Sequence, residues 1–409
     1  MNILIVGREF TGLIDHIKSI GANYCILRDK KLTKVGKEKD KYVYADFSSR
    51  ETILAALESL PWQPDACATI YENYVLPAAI ICEYYGLPGM PVASAEACTD
   101  KYLMRSLFAK APEPISPDFA EATSLEVVKD FAAKHDFPLI LKPANLAKSL
   151  LVTKSSNLPE LIENYQRTVE HINAVYAQYA PDRQPKIVIE EFLEGTVHSV
   201  DAFVDNDGTP HVMKEIVDYQ TGYDVGYDDN FHYSRIMPSK LSDEEQAKFL
   251  HCAELGCRAL GMKNSPAHIE IIMTAKGPRI VEIGARNGGY RERMYRLACG
   301  INTTENALKV WLGQQPEIVA QKHEPIAVLE LFPKVPGNFA GIAHQKELEQ
   351  LQSLEYLSVK PAPGAYIGKS SDGYKMAAVV ILHHSDVAQF NQDLDFVNRN
   401  VHVITETTD

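Results

Sequence analysis

HIEIIMTAKGPRIVEIGARNGG, residues 268 to 289, holds two apolar runs around a short turn, Ala275-Lys276-Gly277, and reads as an antiparallel hairpin. With the turn centred on Lys276, Glu270 and Glu282 fall opposite each other, their Cβ atoms about 5 Å apart. Two carboxylates held that close repel unless a proton or a divalent cation lies between them, and Mg2+ is the natural ion for such hard oxygen ligands. Period-two alternation continued past Glu282 through Gly284 carries Arg286 to the same side. A guanidinium beside a metal can bond two phosphoryl oxygens, which is an arrangement suited to phosphoryl transfer. Gly288 and Gly289 follow and precede a helical run, where free backbone amides could hold an anion.

Around this hairpin the chain is long and ordinary in composition. Its 409 residues are 45% hydrophobic and 23% charged, which excludes a disordered or fibrous protein and predicts several domains. Lysine and arginine number 41 against 54 acidic residues, a net charge of −13. That balance argues against a nucleic-acid or anionic-membrane partner. The seven cysteines are scattered and never spaced C-x-x-C, so reduced buried thiols are expected rather than disulfides or a zinc site. The start, MNILIVGREF, lacks a basic segment, and no later run approaches the roughly 20 apolar residues of a membrane span, so a cytoplasmic protein without membrane contact is expected.

The first hundred residues alternate short strands (2–6, 23–27, 41–44, 66–70) with amphipathic stretches, predicting a parallel sheet flanked by helices. The turn Gly7-Arg8-Glu9-Phe10-Thr11-Gly12 lacks the glycine spacing of a dinucleotide site. A boundary is expected between 95 and 117, where Thr99-Asp100-Lys101 opens a helix and prolines at 112, 114 and 117 interrupt the chain. Beyond it a mixed α+β region is predicted. Its elements are a helix from Thr123 with a capping box to Glu126, a strand 138–142, a long helix near 158–177, and strands 187–192, 197–204 and 210–217, the last two joined by a turn at Asn206-Asp207-Gly208. Residues 218 to 240 show little periodicity and are expected to form a loop or lid. From about 311 strands and short helices alternate to the end.

Two lysines stand at predicted element ends: Lys101 opens a helix and Lys142 closes the strand PLILK. Glu190 and Glu191 close another strand, where Phe192 and Leu193 offer an apolar wall and backbone groups to an adenine.

In order, D-K at 100–101, LKP at 141–143, EEFLEG at 190–195, HIE at 268–270 and EIGARNGG at 282–289 resemble the ATP-grasp superfamily, and E-x-G-A-R-x-G-G looks most like its carboxylate-amine ligases, particularly the L-amino acid ligases. The resemblance implies an α/β and α+β chain with an ATP-grasp fold. A Rossmann-like domain would occupy residues 1–100, the ATP-grasp domain 101–310 and its C-terminal lobe 311–409. It implies ATP and Mg2+ as cofactors and small-molecule carboxylate and amine substrates; a homodimer is expected only because it is the commonest assembly of soluble proteins. By the same resemblance Lys101 and Lys142 contact the ATP phosphates, Glu190 and the backbone of Glu191 to Leu193 hold adenine, Glu270 and Glu282 bind magnesium, and Arg286 stabilises an acyl phosphate and the tetrahedral species after it. The implied reaction releases ADP and phosphate.

The sequence departs from the family at three places. The loop after Lys142 has no glycine, so Lys148 and Ser149 would offer side-chain donors to the phosphates. Thr196-Val197 replaces the acid expected for the ribose, with Glu194 as a substitute. Gly284 stands where a further metal ligand is usual. The alternatives are another ATP-grasp carboxylase, a ligase of nucleotide biosynthesis, or an ATP-binding regulatory protein without turnover. Tyr223 and Asp228, in the acidic segment 215–233, are candidates to line a pocket for a cationic substrate, beside Gly288 and Gly289.

Overall fold

A computed structural model describes residues 1–146, 150–180, 183–229 and 231–406. Lys148 and Ser149 therefore lie outside the described residues. The predicted strands of the first hundred residues form a four-stranded parallel sheet in the order Tyr42–Ala45, Asn23–Asp29, Asn2–Gly7, Ala66–Ala68. All seven cysteines are free and buried. No helix among the described residues is long and apolar enough to cross a membrane.

The next region divides into two sheets. A small one runs in the order Phe119–Glu121, Ile187–Glu191, Leu139–Pro143, Thr153–Ser155. The long helix Leu158–Tyr179 packs on it; Asn157 caps its start, with proline in the first turn. The expected capping box at Thr123 is not formed. Ser124 is the cap, its side chain accepting from Val127, because a cap must sit directly before the first helical residue, Leu125.

The large sheet has nine strands, ordered Gly277–Gly284, Ser265–Thr274, Gly195–Val204, Val217–Thr221, His232–Met237, Ile326–Leu331, Ala378–His383, Leu354–Val359, with Pro210–Val212 paired to Gly195–Val204. Two expectations fail here. The single strand 210–217 is two strands, Pro210–Val212 and Val217–Thr221. The expected lid at 218–240 instead supplies two strands, Val217–Thr221 and His232–Met237, in the middle of the sheet. Their alternation escaped notice because Tyr219, His232 and Arg235, polar or aromatic residues, occupy a buried or half-buried polar face.

The hairpin itself is built differently from the expectation, yet reaches the same pairing. Thr274 pairs with Gly277, so the turn has two residues, Ala275-Lys276. A bulge between Glu270 and Ile271 then shifts the register by one, and Glu270 pairs with Glu282. The bulge has a packing reason: Ile280 and Ile283 are both fully buried although three residues apart, which plain period-two alternation forbids. Glu282, between them, is left on the opposite face with Glu270.

Hydrophobic contacts join the first parallel sheet to the large sheet in one cluster that includes Ile3, Ile5, Leu13, Ala68, Val204, Ile283 and Trp311. The small sheet has its own cluster around Leu139, Leu141, Leu161 and Ile189.

Candidate active site

Small and large sheets meet at a buried ionic hub. Lys142 closes the strand Leu139–Pro143 and lies 2.6 Å from Glu190 Oε2, while Arg105 Nε lies 3.0 Å from Glu190 Oε1. Burial pushes the Glu190 carboxyl up, but the two cations outweigh it and hold the group below its ordinary value. Burial lowers the Lys142 ammonium to about 8, with Glu190 opposing that shift. Arg105 also donates from Nη2 to the Val281 carbonyl at 2.8 Å, and Ile280 N donates to Ile115 O at 2.6 Å. Backbone groups at the hairpin bulge are thereby satisfied by the segment that carries Arg105. Sequence reading missed Arg105, whose helix offers no local signal of its role.

Glu190 is thus a structural anion held by two cations, not a group free to meet adenine. Glu191 turns away and accepts from Asp118 N at 3.0 Å. The amides of Glu191 and Phe192 donate to Asp118 O and Pro138 O, leaving the Leu193 amide without a partner among the described residues. Lys154 lies 3.8 Å over the Phe192 ring.

Lys101 opens its helix as expected, with Asp100 as cap accepting from Tyr102 N and Leu103 N. Its ammonium lies 3.1 Å from Glu282 Oε2 and donates to Leu146 O at 3.4 Å. The lysine thereby connects the loop after Lys142 to the hairpin carboxylates. On the other carboxylate, His268 Nε2 lies 3.5 Å from Glu270 Oε1, and His268 Nδ1 lies 2.5 Å from Asp201 Oδ1. Burial lowers the imidazole, yet Asp201 overcomes this and raises it to about 9. Burial likewise raises Glu270, but His268 outweighs it and holds the carboxylate well below its ordinary range. The two glutamates, facing one another with cations at each flank, are hard oxygen donors of the kind magnesium takes, so the donor set fits that ion.

Arg286 sits beside this pair and reaches Glu72, at 3.0 Å from Nε to Oε2. Burial raises the Glu72 carboxyl, with Arg286 opposing and Glu282 reinforcing the rise. Glu72 belongs to the parallel-sheet region, in a short turn after the strand Ala66–Ala68. Sequence reading missed it, although the carboxyl end of a parallel strand is where such sheets place functional groups. Glu72 also explains Gly284: a Cβ there would lie 2.9 Å from Glu72 Oε2 and 3.6 Å from the Arg286 guanidinium. The position usual for a further metal ligand is emptied to admit a carboxylate from another part of the chain.

Two expectations about the glycine pair and the acidic segment are corrected. Gly288 N is not free for an anion, because it donates to Asp201 Oδ2 at 3.1 Å; Gly289 is exposed. In the acidic segment Asp228 is ion-paired to Lys369 and largely exposed, Asp229 caps Ser370 and Ser371, Asp218 pairs with His198, and Tyr223 is exposed. Asp218, Asp228 and Asp229 are thus engaged by other parts of the chain. Tyr219, expected with the rest of this segment to line a pocket, does share the face of Glu270, together with His232 and, just beyond the segment, Arg235; sequence reading left the last two unassigned.

Residues 135–293 match the ATP-grasp domain family. The chain carries an ATP-grasp domain. Over its whole length it superposes on the L-amino acid ligase from Bacillus licheniformis, with a TM-score of 0.81, 20% identity and 99% of each chain covered. The alanine–anticapsin ligase of Bacillus subtilis (strain 168) is 27% identical over 66% of this chain and 62% of its own length. Carnosine synthase 1 of Gallus gallus is 25% identical over 66% of this chain and 30% of its own. The chain thus spans less than two thirds of the length of these curated relatives.

Proposed function

We propose that the protein is an ATP-dependent ligase joining a carboxylate, in the first instance that of an amino acid, to an amine, with release of ADP and phosphate. One observation carries the proposal: Glu270 and Glu282 are paired on one face of the hairpin, with Lys101 against Glu282 and Arg286 alongside. A site holding opposed carboxylates and cations in this way suits phosphoryl transfer between two anions, and a bare ATP-binding module has no chemical need for it. The similarity to ligases of amino acids supports the same class.

A free carboxylate is a poor acyl donor. Attack on the γ-phosphate converts it to an acyl phosphate, whose phosphate then leaves when the amine attacks. Lys142 and Lys101 would neutralise phosphate oxygens, and the Leu193 amide together with the Phe192 side chain would hold the base. Magnesium, held by Glu270 and Glu282, would supply charge neutralisation for the anion-on-anion attack. Arg286, oriented by Glu72, would bond the developing oxyanion of the acyl group.

The test measures ADP and phosphate released from ATP and magnesium with pools of amino acids. Stimulation by a defined pair of substrates is expected, with loss of at least about 100-fold in rate for Glu282→Ala and for Arg286→Ala while circular dichroism is unchanged. A near-normal rate in either variant removes its assigned role, and AMP as product contradicts the acyl-phosphate route.

A further inference from the structure

Resting on that ligase reading, with an amino acid as the amine substrate, we propose that Arg235 is the receptor for the carboxylate of that acceptor, the one that is not phosphorylated. The pairing of strands places Arg235 on the reacting face. Glu270 pairs with Ser199, Ser199 with Val217, and Tyr219, two residues on, pairs with Arg235. Arg235 thus stands three strands from Glu270, about 14 Å at the backbone. A two-residue product about 7 Å long together with an extended arginine side chain covers that span.

The side chain is flanked by two aromatic rings and is incompletely used. The Tyr219 and Tyr290 rings lie 5.6 and 5.3 Å from its guanidinium carbon. Glu330 Oε2 lies 3.5 Å from Nη1, and its other oxygen accepts from the Tyr290 hydroxyl at 2.7 Å. Nη1 also donates to His232 O at 3.4 Å; among the described residues Nε and Nη2 form no hydrogen bond. A guanidinium normally meets a carboxylate through two parallel bonds of about 2.8 Å. That edge of the Arg235 fork is unfilled, and the residue keeps 12% side-chain exposure, so a small anion can reach it. Glu330 and the two tyrosines act as positioning groups.

The experiment separates the two half-reactions. Hydroxylamine replaces the amine substrate without needing a carboxylate, so hydroxamate formation reports activation of the donor alone, while product mass reports ligation. With the wild type, an amino acid acceptor is expected to react, and its amide and its decarboxylated amine to react at least about 30-fold less well. Arg235→Gln is expected to raise the acceptor KM by a similar factor and to leave the hydroxamate rate and the ATP KM unchanged; Arg235→Lys should recover part of the loss. Equal use of acid and amide by the wild type overturns the assignment. So does a parallel loss of hydroxamate and ligation in Arg235→Gln, which would place the contact on the donor or in the fold. No hydroxamate from the wild type with any amino acid would sink the ligase reading itself, and the assignment with it.

Discussion

Gly284 shows how one residue without a side chain can decide the chemistry around it. Its backbone sits in the hairpin strand that carries Glu282, and its missing Cβ leaves room for Glu72 to reach Arg286. Gly284→Asn restores the residue type usual at this position, yet here it should damage the site. The new Cβ would lie 2.9 Å from Glu72 Oε2, the far end of a flexible side chain, so the carboxylate must shift from its place beside the guanidinium. A fall in kcat of about tenfold or more is expected, with partial recovery in the double variant Gly284→Asn/Glu72→Ala, measured by phosphate release. If Gly284→Asn keeps its full rate, the glycine does not serve to admit Glu72. The two hairpin glutamates were expected opposite each other from a turn centred on Lys276, but the bulge after Glu270 sets that pairing, since the two-residue turn alone would oppose Glu270 to Val281. Glu72, Arg105 and Arg235 were not legible in the sequence, since each meets its partner only through contacts far apart along the chain.

At the scale of elements, the start of the helix that Lys101 opens was readable because a cap is a local event, and Asp100 accepts from its first turn; the cap expected at Thr123 falls one residue later, at Ser124. The central strands at 217–221 and 232–237 were unreadable for the opposite reason: one face is polar for the sake of the site, and that erases the alternation by which a strand is recognised. The Asp100 cap also has a functional reach, since it fixes the first residue of its helix, Lys101, against Glu282 and Leu146 O. Asp100→Ala should cost about 1 kcal/mol in stability. It should also raise the KM for ATP several-fold with little change in kcat, because the frayed first turn no longer aims the ammonium. Chemical denaturation and initial-rate kinetics check both values. An ATP KM equal to that of the wild type would show that Lys101 is placed by its own contacts and not by the cap.

Over the whole molecule, the parallel sheet of residues 1–100 lacks a core of its own on one face. Its inner residues Ile3, Ile5, Leu13, Ile17 and Ala68 belong to the same cluster as Val204, Leu308 and Trp311, so the boundary expected near residue 100 cuts through continuous apolar packing. Polar contacts cross it as well, with Ser94 donating to Gly261 O at 2.9 Å and Glu72 holding Arg286. The small sheet differs: its cluster around Leu139, Leu161 and Ile189 is separate, and the Arg105–Glu190–Lys142 hub joins it to the hairpin. Removal of about 25 cal/mol of burial for each Å² of apolar surface uncovered makes loss of the first sheet far costlier than any single substitution. A chain starting at residue 91 should therefore fail to accumulate in soluble form, and calorimetry of the full chain should show the first sheet and the large sheet melting in one transition. Hydrogen exchange resolves the transition by region: amides of the strands Asn2–Gly7 and Ser265–Thr274 should lose protection together, and those of Leu139–Pro143 separately or earlier. Early loss of protection confined to residues 1–90, with Ser265–Thr274 still protected, would mean that the shared cluster does not couple the two sheets, and that Glu72 reaches Arg286 from an independently folding domain.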